Sequence, residues 1–283
     1  RQPGRDLTVQ LRLPWYRRGL RVAQLLIHTA CGLALATTVK LDPTSRLDPT
    51  RLGQWWAGRL LRILGIQLTC HGSAAQGGRV TVANHVSWLD IFVLLAAQPT
   101  RFVSKSEVRD WPVAGWLASA LGTFYIRRGK GAAAPLVERL VPHLQQGGVV
   151  VIFPEGTTSD GRQVLPFHAR LFAAAVESGV AVQPAALRYG ATTDGHFPAP
   201  FIGDDDLLSH LRRLIQVPTL RAELHYCPVI RHGGALRREE LAGQAQQAIE
   251  TALGLTPSAS KPRRAAASTD AARHDGTIDA LLS

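Results

Sequence analysis

The stretch "ANHVSWLD", residues 83–90, lies between two apolar runs, "RVTV" at 79–82 and "IFVLLAA" at 91–97. The first run has the β-branched composition of a buried strand, and the second is typical of a helix. Between them stand His85, Ser87 and Asp90, although packing requires no polar side chain at this point. The stretch therefore predicts a turn between a strand and a helix that presents polar groups at the end of the strand.

The alternation of strand-like and helical segments continues through the chain from residue 80. Strand-like runs stand at 79–84, 101–104, 122–126, 149–154, 180–189 and 219–230. Helical patterns stand at 90–97, 111–121, 132–146, 168–178 and 238–253. This order predicts an α/β fold with a central, mostly parallel or mixed sheet that is covered by helices.

The first 66 residues differ in character, and we predict that residues 1–66 form membrane-associated helices. Residues 22–39 have no formal charge apart from any on His28, and as a helix they would span about 27 Å, slightly less than a hydrocarbon core of about 30 Å. Basic residues flank both ends, so the positive-inside rule gives no direction of crossing. The tryptophan- and arginine-bearing segment 51–66 would return in the same leaflet as an interfacial helix. A pair of buried core helices is the alternative.

The α/β domain is expected at residues 67–256. Residues 257–283 are rich in alanine, serine and arginine without apolar periodicity, which predicts a mobile tail.

Composition restricts the class of protein. The 283 residues are 46% apolar and have a formal net charge of +11, which attracts nucleic acid, an anionic membrane or an acidic carrier. A nucleic-acid binder would combine basic residues with exposed aromatic ones, whereas the tryptophans concentrate in the apolar N-terminal region and near helix starts. The charge alone does not choose among these partners, and the position of the tryptophans makes a nucleic-acid binder the weaker interpretation.

Three cysteines, Cys31, Cys70 and Cys227, are widely separated and lie in apolar settings without a CxxC pair. This spacing indicates neither a disulfide framework nor a zinc site. We expect buried, reduced thiols in a protein that faces the cytosol.

The spacing of His85 and Asp90 bears on the chemistry of the turn. On a regular helix, two residues five positions apart lie about 140° from each other and cannot pair. If the turn occupies residues 84–88 and Asp90 opens the helix, the carboxylate can reach one imidazole nitrogen and fix its tautomer. The second nitrogen would then face outward as a general base. Taken alone, the pair fits a core histidine and a helix N-cap aspartate equally well.

Three further segments lie at or near predicted strand ends, where ligands of α/β sheets bind. They are "GTFYIRRG" at 122–129, "FPEGTTSDG" at 153–161 and "VQPAALRY" at 182–189. With "NHVSWLD" at 84–90, they resemble the four ordered blocks of the glycerolipid acyltransferase family, typified by 1-acylglycerol-3-phosphate acyltransferase. The blocks are NHxSxxD, an arginine block ending at Arg128, FPEGT at 153–157 and a proline block around Pro184.

The resemblance implies that His85 removes the proton from a free hydroxyl of a lysolipid while that oxygen attacks a fatty acyl thioester. The thiol of coenzyme A or acyl carrier protein leaves, and Asp90 orients His85. Ser87 as an acyl-bearing nucleophile is the rival interpretation. No cofactor or metal is implied. The substrate-binding candidates are Asn84, Ser87, Lys105, Arg127, Arg128, Glu155, Gly156 and Thr157.

One residue departs from the family's pattern. Family members that act on lysophosphatidic acid typically read FPEGTR, whereas Thr158 stands in the place of the arginine. One fewer guanidinium weakens binding of a phosphate monoester by about 1–3 kcal/mol. The turn looks closer to the branch that acylates a 3-hydroxyl of ornithine-containing lipids, so lysophosphatidic acid and lyso-ornithine lipid are both retained as acceptors.

The resemblance also implies a place in the cell, the inner (cytoplasmic) membrane of a bacterium with the catalytic domain on the cytoplasmic side. The alternative function is that of a non-catalytic basic membrane-binding protein. The presence of His85, Asp90, Arg128 and Glu155 argues against it.

Overall fold

A computed structural model describes residues 13–42, 44, 46–127, 133–192, 195–203, 205–233 and 235–256 of the protein. The helices are α1 (Trp15–Leu41), α2 (Pro49–Leu64), α3 (Leu89–Ala97), α4 (Ala114–Ala120), α5 (Ala133–Gln145), α6 (Ala173–Ser178), α7 (Leu207–Gln216) and α8 (Arg238–Ala252). The strands are β1 (Ile66–His71), β2 (Arg79–Ala83), β3 (Arg101–Lys105), β4 (Phe124–Ile126), β5 (Val149–Ile152), β6 (Ala181–Tyr189) and β7 (Leu220–Tyr226). Two short 3-10 helices lie at Ser106–Asp110 and Ala169–Phe172.

The strands form one mixed sheet in the order β1-β7-β6-β2-β5-β3-β4. Strands β2 to β6 are parallel to their neighbours within that group, whereas β7 is antiparallel to β6 and parallel to β1. All five residues of β2 are buried, as expected for a central strand covered on both faces. The predicted α/β class with a mostly parallel or mixed sheet is confirmed. The ends of β2, β5 and β6 meet at one edge.

Helices cover both faces of the sheet. One core cluster joins α2, α3 and the start of β1 to the sheet, with Leu61, Leu64 and Leu94 among its buried members. The second cluster joins α5, α6 and α8 to the other face, around Leu140 and Leu241. This burial on both faces makes the sheet a rigid support for the loops at its edges.

The two N-terminal helices differ in their packing. An Asp48 N-cap, with Pro49 in the first turn, begins α2, and the helix places Ala57, Leu60, Leu61, Ile63 and Leu64 in the protein interior. Helix α1 buries only His28, Gly32 and Ala36. Within the described residues, α1 is the helix long and apolar enough to cross a membrane, with a mean hydropathy of 1.6 and 17% of its most apolar window buried.

Several predictions about these regions need correction. The segment 51–66 buries one face of its helix in the core, the buried-helix alternative, although Trp55 remains exposed. Two elements, β1 and α7, were not predicted from the sequence. Cys227 is buried, but Cys31 and Cys70 are exposed free thiols. The predicted tail at 257–283 lies outside the described residues.

Candidate active site

The turn after β2 brings His85 and Asp90 together. Strand β2 ends at Ala83 and α3 begins at Leu89, so residues 84–88 connect them. His85 Nδ1 lies 2.8 Å from Asp90 Oδ2. Because the carboxylate oxygen accepts, Nδ1 holds the proton and Nε2 remains as the acceptor nitrogen of the ring. The carboxylate thus reaches back to the imidazole as the five-residue spacing predicted.

Asp90 is fully buried and has four hydrogen-bond donors around its carboxylate. The backbone amides of Val86 and Ser87 donate to Oδ2 over 2.7 and 2.9 Å, and the Tyr189 hydroxyl donates to Oδ1 over 2.6 Å. A buried carboxylate is costly unless such partners compensate it. Burial, together with the nearby Asp90, raises the pKa of Tyr189 well above its usual value, so the hydroxyl stays a donor. The network fixes the carboxylate that orients His85.

Glu155 supports the same turn from the end of β5. Its side chain is only 3% exposed, its Oε1 accepts from the His85 amide over 2.7 Å, and its Oε2 accepts from the Leu165 amide over 3.0 Å. Burial raises the pKa of Glu155 to about 7, against the opposing effect of these two amides. The family resemblance implies acceptor contact for this residue. Both carboxylate oxygens bind backbone amides, so Glu155 joins the FPEGT turn to the turn that carries His85.

Asn84 and Ser87 hold the ends of the turn. The Asn84 amide accepts from the Leu187 N–H over 2.7 Å and donates to the Leu187 carbonyl over 2.9 Å, which ties the turn to β6. Ser87 is fully buried, and its Oγ faces the Leu89 amide at 3.4 Å. A buried hydroxyl in this position is a poor candidate for an acyl-bearing nucleophile.

The imidazole of His85 is the most accessible part of this network. Its side chain is 18% exposed, and its ring stacks on Phe153 with the centroids 4.1 Å apart. The His85 carbonyl accepts from the Ser159 amide over 2.8 Å. The backbone and one ring face are therefore fixed, while the other side of the ring can meet a substrate.

Comparisons with known proteins agree with this geometry. A family model described as Acyltransferase matches residues 67–188. Lyso-ornithine lipid O-acyltransferase from Pseudomonas aeruginosa is 46% identical over 252 residues, which cover 87% of this chain and 97% of that protein. The chain belongs to the glycerolipid acyltransferase family. The 1-acyl-sn-glycerol-3-phosphate acyltransferase from Neisseria gonorrhoeae is 32% identical over 191 residues, covering 67% of this chain and 75% of that protein.

A solved structure with the same fold supports the architecture of this acyltransferase. The 1-acyl-sn-glycerophosphate (LPA) acyltransferase PlsC from Thermotoga maritima matches with a TM-score of 0.58 and 20% sequence identity, covering 83% of this chain and 96% of that one. At this identity the likeness concerns the fold. The mixed sheet with its helical layers is therefore an architecture that occurs in the acyltransferase family.

The other candidate residues of the acyltransferase lie at the ends of neighbouring strands and turns. Lys105 ends β3 and is half-buried, and Arg127 directly follows β4 and is exposed. Lys105 pairs with Ile126 in the β3–β4 register, which brings both cations to one edge. Gly156 has a φ of 74°, a left-handed conformation that favours glycine, and Thr157 is exposed. Arg128 lies outside the described residues.

Thr158 and the segment after β6 complete the surroundings of the catalytic turn. The Thr158 hydroxyl donates to the Phe201 carbonyl, and the Phe201 amide donates to the Val86 carbonyl over 3.0 Å. Phe201, Phe153 and Tyr189 were not among the site residues predicted from the sequence. Two of them had a usable signal, because Phe153 opens the FPEGT block and Tyr189 ends the strand of the proline block.

Proposed function

We propose that this acyltransferase completes an ornithine-containing lipid by moving a fatty acyl group to the free 3-hydroxyl of lyso-ornithine lipid. The observation that supports this acceptor is Thr158, which stands where family members acting on lysophosphatidic acid typically have arginine. Its hydroxyl donates to the Phe201 carbonyl, so the position offers no positive charge to a phosphate monoester. The relative from Pseudomonas aeruginosa, named for lyso-ornithine lipid, supports the same acceptor.

The proposed reaction uses His85 as the general base. Nε2 takes the proton of the acceptor hydroxyl while that oxygen attacks the thioester carbonyl carbon. The carbon–sulfur bond then breaks, and the leaving thiolate takes the proton from His85, so the enzyme returns to its first state. Asp90 keeps Nδ1 protonated and the ring oriented. General-base catalysis of this kind contributes roughly 10²–10⁴-fold to the rate.

The polar head of the acceptor is assigned to the cations at the ends of β3 and β4. An ornithine joined through an amide has a singly charged carboxylate, which a guanidinium can bind in a bidentate manner. Arg127 is exposed at this edge and Lys105 lies on the neighbouring strand. Arg128 is assigned the same role by the family resemblance. Thr157 and Gly156 would line the path between this edge and His85.

The acyl donor is a thioester of acyl carrier protein or of coenzyme A. Both donors are acidic, and the net charge of +11 attracts either of them over a range of about 8 Å at physiological salt.

Membrane association is assigned to α1, lying along one leaflet of the cytoplasmic membrane. Near the N-terminal end, Arg21 Nη2 donates to the Pro218 carbonyl over 2.7 Å. Near the other end, Lys40 Nζ lies 3.3 Å from the centre of the Trp116 ring. These contacts are about 29 Å apart along the helix axis. A helix attached at both ends to the catalytic domain lies along that domain, and its exposed residues, Trp15, Leu20, Leu26 and Ile27 among them, are available to lipid.

A substrate panel tests this function directly. Purified full-length protein in mixed micelles would receive labelled acyl carrier protein thioester or acyl-coenzyme A, with either lyso-ornithine lipid or lysophosphatidic acid as acceptor. The expected result is a higher kcat/KM for lyso-ornithine lipid, and no transfer by His85→Ala. A preference for lysophosphatidic acid would contradict the acceptor. Absence of transfer to both would favour the non-catalytic membrane-binding protein.

A further inference from the structure

We propose that His71, Glu223 and His225 form a binding site for one divalent transition-metal ion such as Zn²⁺. These residues lie on β1 and β7, outside all four blocks of the family. The candidate ligand atoms of the three side chains all lie within 4.8 Å of one another. Two imidazoles and one carboxylate are a donor set typical of zinc in proteins, with water in the fourth position.

The sheet register explains why the three side chains converge. His71 pairs with His225 in the parallel β1–β7 ladder, and Glu223 precedes His225 by two positions. Paired residues on neighbouring strands, and residues two apart on one strand, project from the same face of a sheet. Three potential ligands therefore stand on one face at the corners of a small triangle. The backbone of two hydrogen-bonded strands fixes this arrangement.

One pair of the three side chains already has the spacing that a metal ion needs. The imidazole rings of His71 and His225 are stacked, with centroids 4.3 Å apart and planes inclined by 16°. His225 Nε2 lies 3.4 Å from Glu223 Oε2. Tetrahedral ligands at about 2.1 Å from zinc lie about 3.4 Å from each other. The His225–Glu223 edge already has this length, whereas the His71 ring must rotate out of the stack before both imidazole lone pairs can point at one ion.

The site is open to solvent and to a neighbouring groove. His71 is exposed, whereas His225 and Glu223 are half-buried. The two histidines line a groove of about 550 Å³ together with Gln244, Gln247 and Thr251 of α8. Across the β6–β7 ladder Arg188 pairs with Glu223, but its guanidinium donates to the Leu253 carbonyl at the end of α8. A hydrated ion can therefore reach the two histidines from the groove, and the partly exposed Glu223 lies beside His225.

Metal binding at this point would join β1, the edge strand of the sheet, to β7. Strand β1 directly follows α2, so the ion would attach the N-terminal helices more firmly to the sheet. An ion that binds the folded chain and not the unfolded chain raises the melting temperature by mass action. The ion is thus expected to raise the stability of the folded chain without taking part in the chemistry proposed at His85.

The test is a zinc titration of the full-length protein, without a histidine tag, after treatment with a chelator. We expect one Zn²⁺ per chain by calorimetry and a higher melting temperature when zinc is added. His71→Ala and His225→Ala should each weaken binding by at least about tenfold, since even indirect supports of metal ligands are worth roughly 10–100-fold in affinity. Glu223→Gln should weaken it as well. Melting temperatures in chelator show that each variant is folded.

Matched variants separate this site from other zinc ligands of the chain. Cys70→Ser is one control, because Cys70 is adjacent to His71 but its side chain lies near Tyr226, on the opposite face of the sheet. His196→Ala is the second control and removes an exposed histidine. Both should bind zinc as the wild type does, and so should His85→Ala. Wild-type stoichiometry and affinity in His71→Ala and His225→Ala would overturn the proposal. So would the absence of heat and of a thermal shift with zinc in about tenfold excess over protein.

Discussion

Two regions use polar side chains in opposite ways: the proposed catalytic turn, residues 84–90, and the proposed acceptor edge, defined by Lys105, Arg127, Thr157 and Thr158. Asn84, Ser87 and Asp90 in the turn are at most 2% exposed, and hydrogen bonds to backbone and side chains engage them. The residues of the acceptor edge are half-buried or exposed. Fixed geometry is thus concentrated around the proposed general base, whereas the surface proposed for the lipid head is more accessible.

The largest effect is expected from the catalytic turn itself. His85→Ala removes the proposed general base, so turnover should fall by about 10²–10⁴-fold. Asp90→Asn should be nearly as damaging, because the amide can present an N–H to Nδ1 in place of an acceptor oxygen. Initial rates with saturating donor and acceptor measure both changes.

The melting temperature of His85→Ala serves as its control, since the side chain lies at the surface of the network and the fold should persist. Retention of more than about a tenth of wild-type turnover would remove His85 from the role of general base.

A stability change with pH is expected from Glu155, which follows β5 and accepts a hydrogen bond from the His85 amide. Its pKa in the folded protein is about 7, above its ordinary value of 4.5. Between these pH values the folded protein holds a proton that the unfolded chain has released. The free energy of unfolding should therefore fall as pH rises from about 4.5 to about 7, by on the order of 3 kcal/mol, and this contribution should stay constant above that range.

Glu155→Gln cannot titrate, so the decline in stability attributed to Glu155 should be missing in the variant. Denaturant unfolding of both proteins across this pH range gives the difference. Glu138→Gln, on the exposed side of α5, is the matched control and should leave the wild-type slope unchanged. Equal slopes in wild type and Glu155→Gln would show that Glu155 is not the group responsible.

The comparison also explains how far the sequence could predict the site. The blocks at 84–90 and 153–157 were predicted at the end of strands, because β-branched runs and polar turns are local signals. Tyr189 and Phe201 approach the turn from residues about one hundred positions away, through the sheet order and a loop. No local pattern contains such contacts. The family resemblance implied substrate contact for Glu155, and no sequence pattern indicated its two backbone-amide partners.

In the N-terminal region, the sequence predicted a helical pair but not the different environments of its members. Helices α1 and α2 are both apolar and both bear tryptophan. Which of them enters the core depends on the surface that the sheet leaves uncovered, and α2 fills that surface against α3. The apolar composition of a helix predicts that it is removed from water. It does not predict whether lipid or the protein core covers the helix.

An intermediate effect is expected from Tyr189→Phe, which removes one of four donors to Asp90. The buried Oδ1 loses a hydrogen bond of 2.6 Å, and the free energy of unfolding should fall by about 1–3 kcal/mol. Turnover should fall by tenfold at most, because Val86 and Ser87 still hold Oδ2. Tyr125→Phe is the control, because it removes a hydroxyl on β4 that is hydrogen-bonded to Ser119 of α4, away from Asp90. Equal losses in the two variants would mean that the bond to Asp90 has no special role.

The smallest change in free energy, and the sharpest test of the acceptor, is expected from Thr158→Arg at the acceptor edge. The new guanidinium should favour the phosphate monoester of lysophosphatidic acid over the carboxylate of lyso-ornithine lipid. A shift of about tenfold in the ratio of kcat/KM values corresponds to 1.4 kcal/mol of differential transition-state binding. Thr158→Gln also removes the bond to the Phe201 carbonyl but adds no charge, so it should not change the ratio of kcat/KM values.

If Thr158→Arg and Thr158→Gln change this ratio equally, the contact between Thr158 and Phe201 determines specificity. If the wild type already prefers lysophosphatidic acid and the arginine changes little, the cations of the neighbouring strands bind the phosphate, and lyso-ornithine lipid is not the acceptor.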